Sequence, residues 1–239
     1  MKKPITLLIL LALALTARAQ NSLYDNEDTW RKAVPSAIAR SSAFTLPKID
    51  PALPNALLIG DSISIGYTNE VRNLLVRKMN VFRVPDNAQN TTHTLANIDT
   101  WLAGKKWDVI YCNWGLHDLT SRGPKPDAYA ENLRLLIDKL RATGAAVVFA
   151  TTTPIPPDNI GRLPGAELPY NAKALEVMRE KNVLVSDLYA FALPRISLIQ
   201  NPADVHFSSY GSAVLAQPVA RAILNAHRGE KFSGYLKLK

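Results

Sequence analysis

Short apolar runs alternate along the chain with longer stretches in which apolar residues recur every third or fourth position. Ala56–Ile59, Asn80–Val84, Trp107–Trp114, Ala145–Ala150 and Val183–Val185 read as buried strands. Between them, Val71, Leu74 and Leu75 end one helical face, and Leu95, Ile98, Trp101 and Leu102 form another that stops at Gly104. Tyr129, Leu133, Leu136, Ile137 and Leu140 make the clearest stripe, opened by Pro126-Asp127 and closed by Gly144. Further helices are predicted over Tyr170–Lys181, Leu188–Ile199 and Ser209–His227, with Pro218 expected to kink or break the last. Strands alternating with helices predict an α/β fold, a mainly parallel sheet covered on both faces with right-handed crossovers. Ahead of it, residues 20–54 form a lead-in with a helix-like piece at Asp28–Arg40 and a connector bearing Pro47, Pro51 and Pro54. One long connection, Pro154–Pro169, holds five prolines, and a loop of that length is more often functional than accidental.

Residues 1–19 stand apart from this pattern. A basic start (Lys2, Lys3), an apolar run from Ile5 to Leu15 and the small-x-small site Ala17-Arg18-Ala19 read as a secretory signal peptide cleaved after Ala19. An exported protein, periplasmic or secreted, is expected, with no membrane span. Losing Lys2, Lys3 and Arg18 with the leader lowers the formal charge from +8 to +5. The remaining basic residues are scattered, so no nucleic-acid partner is expected. Cys112, the single cysteine, lies in an apolar run and reads as inert core; it rules out an intrachain disulfide and a Cys/His zinc site. Neither a cofactor nor a metal is expected. The domain predicted from this pattern spans 55–227, followed by a tail over 228–239.

The chemistry gathers where the strands end. Ligands in open α/β sheets sit at the carboxyl ends of the strands, and Gly60-Asp61-Ser62 follows the first strand directly, just before a helix. A strand, a tight turn, a serine and a helix start lift a hydroxyl above the sheet beside free N–H groups. The plainer reading is that Asp61 or Ser62 only caps the helix. Among the histidines, His227 reads as a charge at a helix C-terminus and His93 as part of a polar loop, which leaves His117 after the third strand and His206 after the last.

These residues, taken together, resemble the SGNH/GDSL hydrolases from about Asn55 to Leu224. Gly60-Asp61-Ser62 is similar to the family's first block, Gly115-Leu116-His117-Asp118 to its third, and Val205-His206-Phe207 to its last. The resemblance implies a flavodoxin-like three-layer α/β/α sandwich and an ester hydrolase with Ser62 as nucleophile and His206 as general base. It implies an oxyanion hole at the Ser62 N–H and the N–H near Gln89, where the family has a glycine, with His117 as a further donor in place of the family's Asn. In the last block the family Asp stands three residues before His, which here is Ala203; Asp204 is two before. Residues two apart on a tight helical turn point away from each other, so Asp204 is expected to face elsewhere and Ser62–His206 to act as a dyad. The implied substrate is a small-molecule or polysaccharide ester, with O-acetylated carbohydrate first. Trp114, Tyr67 and Tyr170 are candidate sugar-stacking faces, although scattered aromatics more often belong to the core. Two rival readings are a non-catalytic glycan-binding protein and a lipid or thioester hydrolase.

Overall fold

The computed structural model describes residues 22–229; the leader predicted over 1–19 and most of the tail lie outside them. Five strands form one all-parallel sheet, β1 (Asn55–Ile59), β2 (Asn80–Arg83), β3 (Val109–Cys112), β4 (Ala146–Ala150) and β5 (Leu184–Ser186), in the order β2-β1-β3-β4-β5. The chain runs from β1 outward to β2, then returns to β3 on the other side of β1, so the strand order switches beside β1. Strand residues alternate between two cores, as the period of two requires. Leu57, Ile59, Ile110, Cys112 and Phe149 face α3 (Thr91–Leu102), α4 (Pro126–Ala142) and α5 (Leu168–Glu180). Ala56, Leu58, Tyr111 and Val148 face α2 (Ser62–Leu74) and α8 (Ser209–His227). The result is the expected three-layer α/β/α sandwich. No helix among the described residues is long and apolar enough to cross a membrane.

Three elements differ from the sequence expectation, each at a proline. The lead-in helix α1 covers only Glu27–Ala33; its cap Val34 is extended, as a residue before proline prefers. Its Trp30, with Tyr24 and Phe44, packs into the same core as Phe82 and Trp107. The helix expected over Leu188–Ile199 is divided into α6 (Leu188–Ala192), a 3-10 turn at Leu193–Arg195 containing Pro194, and α7 (Ile196–Ile199). Pro218, conversely, does not break α8, which runs unbroken through it. An internal proline costs about 3 kcal/mol. Leu215, Val219 and Ile223 are completely buried on α8, each contributing about 1.5–3 kcal/mol, and together they outweigh it.

Candidate active site

Ser62 is presented by its own strand and helix. Asp61 is the N-cap of α2, its side chain accepting from the Ile63 N–H at 3.0 Å. The cap is therefore Asp61, and Ser62, the first helical residue, is left with a hydroxyl not used in capping and an N–H that has no intrahelical acceptor. Gly60 must be small: a Cβ there would lie 2.6 Å from Asn113 Oδ1 and 2.9 Å from Ser64 Cβ. Below the loop lies Arg83, completely buried, its guanidinium donating to Thr68 Oγ1 (3.0 Å), Asp86 O (3.1 Å) and Gly60 O (3.4 Å) and stacked over Phe44. Burial brings its pKa down to about 9, so it remains cationic at neutral pH. Arg83 thus ties the loop after β1 to the loop after β2.

His206 and Asp204 come from the irregular loop between α7 and α8. Ser62 Oγ stands 2.8 Å from His206 Nε2, and His206 Nδ1 stands 2.8 Å from Asp204 Oδ1. The same carboxylate oxygen accepts the His206 backbone N–H at 3.2 Å. Partial burial opposes the Asp204 charge, but these hydrogen bonds prevail and hold the carboxyl below its ordinary pKa. The expectation that Asp204 faces away from the imidazole is therefore corrected. Its premise was a right-handed turn, whereas Ala203 has φ 56°, in the left-handed region, and this reverses the direction of the next side chain. A proton on Nδ1 and a lone pair on Nε2 aimed at a serine hydroxyl is the arrangement a general base requires.

Gln89 and His117 occupy the loops after β2 and β3. Gln89 has φ 48°, the conformation for which the family glycine is suited, and its N–H reaches Asn87 Oδ1 at 3.3 Å. The next residue, Asn90, caps α3 and supplies His93 N–H with an acceptor. His117 is half-buried. Burial lowers its pKa, Asp61 opposes the shift, and Arg162, His206 and His93 reinforce it, so its ring is neutral at neutral pH. Gly115 opens this turn at φ 149°, and a Cβ on it would collide with Thr152 Oγ1. Asp118, completely buried, accepts from Thr91 N–H (2.8 Å) and Thr91 Oγ1 (2.6 Å) and so links the β3 loop to the start of α3. Burial pushes its pKa up to about 6 despite those bonds.

Other expectations change. Trp114, Tyr67 and Tyr170 are buried in the core and offer no sugar-stacking face. Their polar atoms point inward too: Trp114 Nε1 donates to Thr94 Oγ1, and Tyr170 Oη donates to Pro124 O. His93 is in the first turn of α3 rather than in a loop, with Nε2 2.7 Å from Asp86 Oδ2. Cys112 is buried and its thiol pKa is driven up by that burial, as an inert core residue. A groove of about 720 Å³ lies at the opposite end of the sheet, lined by Lys48, Arg72, Asn80 and Val81 among others, far from the serine end of β1. Sequence reasoning missed Arg83, read only as part of a strand, and Asn113, whose buried Oδ1 sits against Gly60 without a partner. A polar residue ending an apolar strand at the ligand-binding edge was the available signal for Asn113.

Comparison with known proteins places this geometry in context. A search of curated protein sequences finds no match. Solved structures do match. A lipase/acylhydrolase from Enterococcus faecalis has a TM-score of 0.64 at 20% identity, covering 73% of this chain and 96% of its own. The acetyl xylan esterase AlAXEase gives 0.62 at 16%, covering 71% and 99%. Axe2, an acetylxylan esterase from Geobacillus stearothermophilus, gives 0.61 at 19%, covering 71% and 94%. At these identities the likeness speaks for the fold. The profile of the GDSL-like lipase/acylhydrolase family matches residues 58–214, a span that takes in Ser62, Gln89, His117, Asp204 and His206, and the chain belongs to that family of ester hydrolases.

Proposed function

We propose that this chain is an exported serine esterase that removes acetyl groups from a polysaccharide, with Ser62, His206 and Asp204 as its triad. The observation that carries the reading is the unbroken hydrogen-bonded series Ser62 Oγ, His206 Nε2, His206 Nδ1, Asp204 Oδ1, with both links at 2.8 Å. Ser62 Oγ attacks the ester carbonyl carbon while His206 Nε2 takes the hydroxyl proton. The negative oxygen of the tetrahedral intermediate is met by the Ser62 N–H, the Gln89 N–H, released from its long contact with Asn87, and the neutral His117 ring. Collapse expels the alcohol, which receives the proton from His206. Water, deprotonated by the same imidazole, then attacks the acyl-Ser62 ester; collapse breaks the bond to Ser62 Oγ, which takes the proton back from His206, and acetate leaves. Asp204 holds the Nδ1 proton and stabilises the imidazolium throughout.

The leader-like residues 1–19 support export, and the acetyl xylan esterases among the structural neighbours support an acetylated glycan. A second reading, longer acyl esters, is favoured by one observation: Ile160 and Leu163 stand 85% and 76% exposed on the proline-rich loop beside the Ala203 turn. The deciding experiment is a p-nitrophenyl ester series run beside acetylated xylo-oligosaccharide. Acetate should be preferred and acetate should be released from the oligosaccharide, both lost in Ser62→Ala. A preference for octanoate would select the second reading, and activity retained by Ser62→Ala would remove the proposed nucleophile.

A further inference from the structure

Ala203 is strained for a reason that lies outside its own loop. A residue with a Cβ does not choose the left-handed region unaided, yet Ala203 holds φ 56°. Both of its backbone polar groups are gripped by consecutive residues of the proline-rich loop. Its N–H donates to Asp158 Oδ2 at 3.1 Å; its carbonyl accepts from Asn159 Nδ2 at 3.2 Å and from the Ile160 N–H at 3.2 Å. The gripping segment is itself shaped. Asn159 N–H donates to Pro156 O, Asn159 Oδ1 accepts the Arg162 N–H, and Arg162 Nε reaches Leu116 O beside His117. A second cross-link runs the other way, from Gln200 Nε2 to Pro154 O and Val205 O.

Resting on the triad reading, we propose that Asp158 and Asn159 are positioning residues: they hold Ala203 left-handed and thereby aim Asp204 at His206. Neither side chain is required to touch substrate. Their effect passes through one peptide unit, whose orientation decides whether a carboxylate two residues before the histidine can reach Nδ1. The pair supplies what a family Asp at position 203 would not need. It also gives the long loop a task, linking the backbone beside His117 to the turn that carries Asp204.

The test uses the full chain and two independent readouts. One is kcat and KM on p-nitrophenyl acetate. The other, free of any substrate, is the downfield proton resonance of His206 Nδ1–H, assigned by its loss in His206→Ala. Asp158→Ala/Asn159→Ala should lower kcat about tenfold or more with KM within about twofold, and should abolish the resonance. Adding Ala203→Gly, which accepts positive φ without steric cost, should recover most of both. Asp158→Asn keeps an acceptor for the Ala203 N–H and should retain both; it also serves if the double variant unfolds, paired with Asp158→Ala. If the protein hydrolyses none of the esters but the resonance vanishes and returns as described, the positioning role stands and the hydrolase reading falls. A resonance that persists in the double variant, one absent from the wild type, or a loss that Ala203→Gly cannot repair overturns the proposal.

Discussion

Ser62 is held by its own element, whereas His206 and Asp204 are held by a different one. The serine follows β1 after only the two-residue turn Gly60-Asp61, opens a helix capped by its neighbour Asp61, and stands over Arg83, whose charge is buried beneath the turn. The acid–base loop has no such base. Its Asp204 and His206 side chains are each 45% exposed, and its decisive residue is a strained alanine fastened by another loop. The difference teaches that one hydrogen-bonded series can join a locally determined half to a remotely determined one. Damage to the two halves should look different.

The largest expected effects fall on the reacting groups themselves. Ser62→Ala and His206→Ala should each lower kcat/KM by more than about 10³-fold while the melting temperature moves only a few degrees, read by steady-state kinetics and calorimetry. A large drop in melting temperature for His206→Ala would mean that the half-exposed loop carries structural weight as well. His117→Ala comes next, with kcat reduced about 10²-fold and KM little changed, since an oxyanion contact forms mainly in the transition state. A change confined to KM would move His117 to substrate binding.

Arg83→Met should show the opposite profile to the acid–base variants. It leaves Thr68 Oγ1 and the Gly60 and Asp86 carbonyls without their buried donor, and the expected loss is about 2–4 kcal/mol of stability in denaturant unfolding. If stability holds and only kcat falls, the serine half is less self-contained than the comparison claims.

The smallest effect is a pH slope. Asp118 has a folded-state pKa near 6 against an ordinary 3.8, so the folded state binds its proton more tightly. The contribution of this group is complete in acid and is lost as pH rises from about 4 through about 6. Asp118→Asn keeps an acceptor for Thr91 and removes the titration. Its stability relative to wild type should therefore improve between pH 4 and 7.5 by roughly 2–3 kcal/mol. A difference that stays flat with pH would show that Asp118 is ionised in the folded protein throughout that range.

What was legible in the sequence follows the same division. Periodicity gave all five strands and the long helices, because apolar spacing is a local property that the sheet and its two cores merely complete. The place of Ser62 between β1 and α2 could be read for the same reason, and that of His206 in the loop before the last helix from its flanking pattern. Asp204 was misread because its direction depends on the φ of Ala203, and that φ depends on Asp158 and Asn159, more than forty positions away. That α8 continues past Pro218 rests on its burial against β3, β4 and α2, which the sequence of α8 alone does not display. Trp114, Tyr67 and Tyr170 could not be sorted into surface or core without the packing around them.

The central claim is that Ser62, His206 and Asp204 act as one hydrogen-bonded triad. Fluorophosphonate labelling tests it without knowledge of the substrate, by following the rate of modification and locating the adduct by mass spectrometry. The account predicts an adduct on Ser62 in the wild type and labelling slowed by about 10³-fold in Asp204→Ala, since the imidazole then loses its tautomer control. An adduct on another residue, or equal labelling rates in the two proteins, would contradict it.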